Sequence, residues 1–235
     1  MLLVVQEFNC MSIPFNIVQF FDIFARYNES VWPMQVILVV LALAAIVSLY
    51  IRQPFGGRLI AAVLTLLWAW MGIAYHFVFF TAINPAAWLF GAVFLAGAGW
   101  FALTGVLNGR MRFSPRGGAH GWAGWILILF ALVVYPLLGL YFGHRYPAMP
   151  TFGLPCPTTI FTIGILMFAM PPVPRSVFIV PVLWAAVGSM AAFRLGVFQD
   201  MGLLAAGLVG VVAAIIAPSG PGRVLPGETA RPAVR

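Results

Sequence analysis

Residues 59–80 read LIAAVLTLLWAWMGIAYHFVFF, and this apolar stretch decides the fold. It contains no Asp, Glu, Lys or Arg, and Arg58 and Asn84-Pro85 bound it on either side. A helix rises about 1.5 Å per residue, so about 20 apolar residues cross the ~30 Å hydrocarbon core of a bilayer. The stretch therefore predicts a transmembrane helix.

Further apolar stretches of comparable length occur along the chain, at residues 33–50, 86–107, 122–142, 157–170, 177–195 and 201–217. The 235 residues are 63% hydrophobic and only 7% charged, with a mean hydropathy of +1.05. Soluble domains carry about a quarter charged residues. The composition predicts an all-α, polytopic transmembrane bundle of about seven spans, multi-pass in a bacterial inner (cell) membrane.

The basic residues are all arginines, and they predict the orientation of the bundle. Short loops collect cations on the cytoplasmic side of a membrane. Nine arginines belong to one side and three to the other: Arg52, Arg58, Arg110, Arg112, Arg116, Arg175, Arg223, Arg231 and Arg235 against Arg26, Arg145 and Arg194. The N-terminus is then outside and the C-terminus inside, as an odd number of spans requires. The net charge of +7 is thus explained by loop arginines that set the membrane orientation, and no nucleic-acid partner is expected.

Four regions are predicted along the chain. Residues 1–11 form a leader, and Met11 is an alternative start to Met1. Residues 12–32 place aromatic side chains at helical spacing, which predicts an amphipathic interfacial helix or, alternatively, a lid over the bundle. Residues 33–217 form the transmembrane domain. Residues 218–235 are rich in Pro, Gly and Arg and predict a disordered cytoplasmic tail.

Small residues recur at four-residue intervals in the last two predicted spans. They form two ridges, which are Gly188/Ala192/Gly196 and Gly202/Ala206/Gly210. Such ridges allow helix backbones to approach closely in a membrane. They predict packing between the sixth and seventh spans or, alternatively, a helix of a partner protein.

Polar side chains gather at the predicted outer ends of spans two, four and five. The candidate site residues are His76, Asn84, Tyr135, His144, Cys156, Thr158 and Thr159. Burying a polar group in a membrane costs free energy, and such groups are often functional. They predict an outward-facing polar vestibule for a small-molecule or ion ligand. Pro136 removes a backbone donor from span four and predicts a kink toward this vestibule.

The sharpest local feature is Pro155-Cys156-Pro157, which places a thiol between two prolines at a helix start. A thiol there favours the thiolate, which binds soft metals. His76, His144 and Cys156 are therefore a candidate metal site, and the two histidines are a candidate haem-ligand pair. The alternatives are a small apolar filler for Cys156 and hydrogen-bonded boundary positions for the histidines.

The sequence lacks the residues that several kinds of protein chemistry require. Because the chain has no Lys, it cannot form a retinal Schiff base. Phosphate-loop, zinc-protease and serine-hydrolase motifs are absent from the sequence, so an enzyme is disfavoured and no cofactor is firmly implied.

The sequence also resembles a family of bacterial integral membrane proteins of unknown function. The resemblance rests on these segments: Phe20-Phe21, Tyr27-Asn28, Trp32-Pro33, Tyr75-His76-Phe77, residues 83–88, Tyr135-Pro136 and residues 153–159. It covers roughly Met11 to Ala217 and implies a start near Met11. It implies no activity, substrate or catalytic residue.

Three functional hypotheses follow. The first is a small permease or channel-like protein with an outward-facing vestibule. The second is a metal- or haem-binding redox protein that uses His76, His144 and Cys156. The third is an accessory subunit of a membrane complex, joined through the small-residue ridges.

Overall fold

The computed structural model describes residues 14–172 and 174–216, and its regular structure in these ranges is helical. We number the helices in chain order: α1 (Ile17–Ser30), α2 (Met34–Ser48), α3 (Phe55–Ala82), α4 (Ala87–Leu107), α5 (Gly118–Tyr141), α6 (Pro155–Leu166), α7 (Arg175–Arg194) and α8 (Phe198–Ile216). The predicted leader and tail lie outside the described residues.

Five helices, α3, α4, α5, α7 and α8, are long and apolar enough to cross a membrane. A sixth candidate span exists if α1 and α2, which meet at an 84° bend, are counted together. The chain is therefore an all-α, multi-pass membrane protein, and these five helices agree with the predicted spans to within about one turn.

The predicted count of seven exceeds these five to six candidates. The first and fifth predicted spans correspond to α2 and α6, which have only 15 and 12 residues. A helix of 12 residues is about 18 Å long, much shorter than a ~30 Å hydrocarbon core. Hydropathy marked both stretches as apolar but could not reveal that their helices end early.

Helix α6 lies at the centre of the bundle and forms its central axis. Every residue of α6 except Cys156 is buried. A helix that is apolar on all sides belongs inside a protein, and α6 packs against α5, α7 and α8. Trp68 of α3 donates its indole N–H to Thr162 Oγ1 of α6 at 3.0 Å.

The loops between the helices meet in two groups, at opposite ends of the bundle. The arginine-rich end joins residues 49–54, 108–117 and 167–172. There Gln53 Nε2 donates to the Phe113 carbonyl at 2.7 Å, and the Met170 N–H donates to the Arg112 carbonyl at 2.8 Å. Arg116 donates to the carbonyl of Met167 and so satisfies the end of α6.

The opposite end, which we call the cavity end, joins α1 to residues 83–86, 142–154 and 195–197. Asn28 of α1 is buried and donates to the carbonyls of Pro147 and Met149 at 2.7 and 2.8 Å. Thr151 Oγ1 donates back to Asn28 Oδ1 at 2.7 Å. These bonds fix the loop that leads into α6.

Helix α1 lies across the cavity end. It begins in a capping box, in which Asn16 and Gln19 each accept the other's backbone N–H at 2.9 Å. One face buries Phe20, Phe24 and Tyr27 against the bundle, whereas Asp22 is exposed. Helix α1 therefore packs one face on the bundle and leaves the other exposed.

Both small-residue ridges are used inside the chain, which corrects the partner-helix alternative. The Cα of Gly188 faces Leu203 of α8, and those of Gly202 and Gly210 face Phe130 and Val182. Gly196 lies beyond the end of α7 with φ of +69°, so it does not continue the first ridge. The predicted packing between the last two spans is present at Gly188.

The contact of α3 with α4 gives a first prediction. A Cβ added to Gly105 would lie 2.2 Å from the Ala61 Cβ, whereas one added to Gly99 of the same helix would meet nothing within 4 Å. We expect Gly105→Ala to destabilise the protein by about 1–3 kcal/mol through overpacking. Gly99→Ala should be neutral or slightly stabilising. Thermal unfolding in detergent measures both, and equal midpoints would contradict the close approach.

Candidate functional site

A cavity of about 550 Å³ opens at the cavity end, beneath α1. Its walls come from α1, α3, α4 and α7, and its base comes from the start of α6 and the middle of α5. Aromatic rings dominate the walls: Phe15, Phe20, Phe24, Tyr75, Phe80, Phe90, Tyr135 and Trp184. The volume is in the range of pockets that bind small organic molecules.

This lining corrects the predicted polar vestibule. The polar side chains that reach the wall are few, namely Tyr75, Asn84, Tyr135, Cys156, Trp184 and Arg194. The remainder of the wall is apolar. Of the predicted site residues, His76, His144, Thr158 and Thr159 do not line the cavity.

Cys156 lies at the base of the cavity because of the turn that precedes α6. Gly153 has φ of +100°, which favours glycine, and a Cβ there would lie 2.3 Å from Leu38 Cδ1. The Gly153 N–H donates to Thr158 Oγ1 at 3.0 Å. Thr158 is thus buried and structural. Cys156 lines the cavity, and it is the one residue of α6 that is not fully buried.

Tyr135, Asp200 and Cys156 form a polar cluster at the base. The Tyr135 hydroxyl donates to Asp200 Oδ1 at 2.6 Å. The Cys156 thiol lies beside the same carboxylate and interacts with it. Asp200 is 1% exposed. Three helices, α5, α6 and α8, therefore converge on one buried carboxylate.

A π-helical segment of α5 positions Tyr135 in this cluster. Pro136 has no N–H for the carbonyl one turn earlier, and residues Phe130–Val134 form π-helical turns directly before it. A π-helical segment rotates the following side chains relative to a regular helix. The structure therefore places a backbone irregularity where the sequence predicts a kink.

The candidate metal ligands do not come together. No group of three His, Cys, Asp or Glu side chains close enough to hold a metal occurs in the described part of the chain. His76 is fully buried among aromatic rings, with centroids 4.7 Å from Phe94 and 5.1 Å from Trp184. Neither of its ring nitrogens has a hydrogen-bond partner among the described residues. The sequence places the three residues at similar heights along their helices, and similar height does not establish that their side chains meet.

His144 occupies a different position, in the loop after α5. Its ring lies 4.4 Å from that of Phe21, and its Nδ1 is 3.4 Å from Gln199 Nε2. Partial burial lowers the pKa of His144 below the usual histidine value. A neutral ring at neutral pH suits this contact, because the unprotonated Nδ1 accepts from the Gln199 amide. His144 therefore joins α1, α5 and α8 near the cavity end.

The two remaining candidates have separate roles. Asn84 Oδ1 accepts from the Ala86 N–H at 3.0 Å at the start of α4, and its side chain borders the cavity. Thr159 is buried, and its hydroxyl has no hydrogen-bond partner among the described residues. Of the predicted site residues, the structure thus places Asn84, Tyr135 and Cys156 on the cavity.

The predicted site residues do not include Asp200. A signal was present, because Asp200 is the sole acidic residue between Glu29 and Glu228. An acidic side chain next to an apolar span costs free energy to place near the membrane, so such a residue is often functional. Its pairing with Tyr135, 65 positions earlier in the chain, could not be read from spacing.

Comparison with known proteins places the chain in a family and gives no activity. Residues 17–219 match the family of unknown function DUF6064, and the chain belongs to this family. The curated proteins give no match, and neither do the solved structures.

The Tyr135–Asp200 hydrogen bond gives a second prediction. Tyr135→Phe leaves a buried carboxylate without its hydroxyl donor, which costs about 1–3 kcal/mol. Tyr141→Phe is the matched control, because Tyr141 is 82% exposed and its change should stay within about 0.5 kcal/mol. Thermal unfolding in detergent compares the two variants. The same midpoint for both would argue against the buried bond.

Proposed function

We propose that this DUF6064 protein is a small permease-like membrane protein whose cavity binds a small, largely apolar organic molecule. The observation that carries the proposal is the aromatic cavity that ends on the Tyr135–Asp200–Cys156 cluster. Apolar pockets with a few convergent polar groups are the usual form of small-molecule sites. A buried carboxylate in a membrane protein further favours a functional role for this place.

The core beneath the cavity favours a permease over an open channel. Residues 157–166 of α6 are all buried. Trp68, which bonds to Thr162 of this helix, is fully buried too. A ligand that reaches Cys156 would therefore meet packed helices and could advance only if the bundle rearranged.

We further propose seven crossings, with the cavity end outside. Although α6 is short, the loop before it bonds to α1 at the cavity end, whereas the residues after it bond to Arg112 and Arg116 at the arginine-rich end. Arginines favour the cytoplasmic side. Among the described residues, Arg52, Arg58, Arg110, Arg112, Arg116 and Arg175 belong to one end, and Arg26, Arg145 and Arg194 belong to the other.

The other two hypotheses receive less support from the geometry. A redox site would need His76, His144 and Cys156 around one metal, and they do not form such a group. An accessory subunit joined through the small-residue ridges would need those ridges on its surface. Gly188, Gly202 and Gly210 instead face side chains of the chain's own helices.

Thiol labelling tests the cavity. In a Cys10→Ser background, Cys156 should react with a membrane-impermeant maleimide added to intact cells, because its thiol borders an outward opening. Ala191→Phe should slow this reaction several-fold, since Ala191 lines the cavity. Ala186→Phe is the control, because Ala186 is exposed on the same helix and does not line the cavity.

Two results would contradict the proposal. One is an unreactive Cys156 in intact cells that labels only after lysis. The other is equal slowing by the two Phe variants, which would mean that the reagent arrives by a path outside the cavity.

The orientation has its own test. Single cysteines are introduced at two exposed positions, Ser30→Cys at the cavity end and Ala119→Cys at the arginine-rich end, in a Cys10→Ser/Cys156→Ala background. We expect the impermeant reagent to label Ser30→Cys in intact cells and Ala119→Cys only after lysis. The reverse pattern would invert the topology, and labelling of both from outside would contradict seven crossings.

A further inference from the structure

The charge at the base of the cavity bears on which ligand it accepts. Asp200 is buried directly behind two lining residues, Tyr135 and Cys156. Among the described residues, no Arg or His makes an ion pair with it, since the ion pair found there is Arg26–Asp22. Its partners are a hydroxyl and a thiol. Burial alone disfavours the ionised form of such a carboxylate, and a cation bound nearby would stabilise that form.

The aromatic walls act in the same direction. Ring faces carry negative electrostatic potential, and they attract amines and quaternary ammonium groups within about 6 Å. Phe24, Tyr75, Phe80, Phe90 and Trp184 all line the cavity above the polar cluster. A cation there would lie among aromatic rings on several sides, with apolar surface for its substituents.

One positive residue borders the cavity, and its position limits its effect. Arg194 lines the opening and is exposed. Water and salt screen an exposed charge, whereas they screen a buried charge much less. Asp200 should therefore dominate at the base, and Arg194 should weaken the preference only near the opening.

We propose that the cavity selects small organic cations, that is, amines or quaternary ammonium ions with apolar substituents, and that Asp200 supplies the selecting charge. This inference rests on the proposed function, because it assumes that the cavity is the ligand site. The aromatic rings accommodate the substituents and stabilise the cationic centre, and Tyr135 holds the carboxylate in place behind the wall.

A pair of thiol reagents of opposite charge tests this inference on the full-length Cys10→Ser protein in detergent. Trimethylammonioethyl methanethiosulfonate carries a quaternary ammonium group, and sulfonatoethyl methanethiosulfonate carries a sulfonate. Each forms a mixed disulfide with Cys156 and releases methanesulfinate. The ratio of their rate constants, divided by the same ratio for mercaptoethanol, removes differences in reagent and thiol reactivity and leaves the charge preference of the cavity.

We expect this normalised ratio to be about tenfold in favour of the cation, which corresponds to about 1.4 kcal/mol. Asp200→Asn should bring it close to one, because the shape is kept and the charge is lost. Asp22→Asn is the matched control, since Asp22 is an exposed carboxylate on α1, and it should leave the ratio unchanged. Arg194→Gln should raise the ratio slightly.

The outcomes separate the two proposals. If Cys156 reacts with neither reagent, the cavity is closed and the proposed function fails together with the inference. If both reagents react and the unsubstituted protein shows a ratio near one or below it, the cavity stands and the cation preference is wrong. This second outcome is measured on the protein without a substitution at Asp200, so it can be interpreted even if Asp200→Asn does not fold.

As a second arm, benzyltrimethylammonium should protect Cys156 from a neutral methanethiosulfonate, whereas benzenesulfonate at the same concentration should not. Equal protection by the two ions would contradict selection by charge.

Discussion

The structure depends on one constraint, which is that α6 must be short and buried on every side. Backbone groups buried inside a protein need hydrogen-bond partners, and α6 is a helix of only 12 residues. The chain meets this requirement by drawing loops inward at both ends. Thr158 accepts the Gly153 N–H before the helix, and Arg116 donates to the Met167 carbonyl after it. The longer helices pack around this axis.

The cavity is a consequence of that short axis. Cys156, at the start of α6, lines the cavity with Tyr135 and Trp184, which come six and ten residues before the ends of α5 and α7. A space therefore remains between Cys156 and those ends. Helix α1 covers that space with Phe20 and Phe24 and is itself tied down through Asn28. The cost of burying Asp200 at the base is offset in part by the Tyr135 hydroxyl. A chain with only five acidic residues buries this one almost completely, which is the strongest physical reason to regard the base as functional.

The sequence predicts the membrane class and five helices well, since long apolar runs with bounding Pro, Asn and Arg residues determine them locally. It predicts a helix start at Cys156, because the flanking prolines are a local signal. It does not predict the divergence of His76 and His144, because equal depth on two helices says nothing about the direction of a side chain. Nor does it reveal Asp200, whose partners come from helices far away in the chain.

The central claim is that the start of α6 forms the base of a cavity beneath α1. The most direct measurement is a crystal structure of the Cys10→Ser protein labelled at Cys156 with an organomercurial. The account predicts mercury density between Tyr75, Tyr135 and Trp184, covered by α1, within the outer half of the bundle. Mercury on a lipid-facing surface, or an α6 whose first turn lies level with the ends of the neighbouring helices, would contradict it.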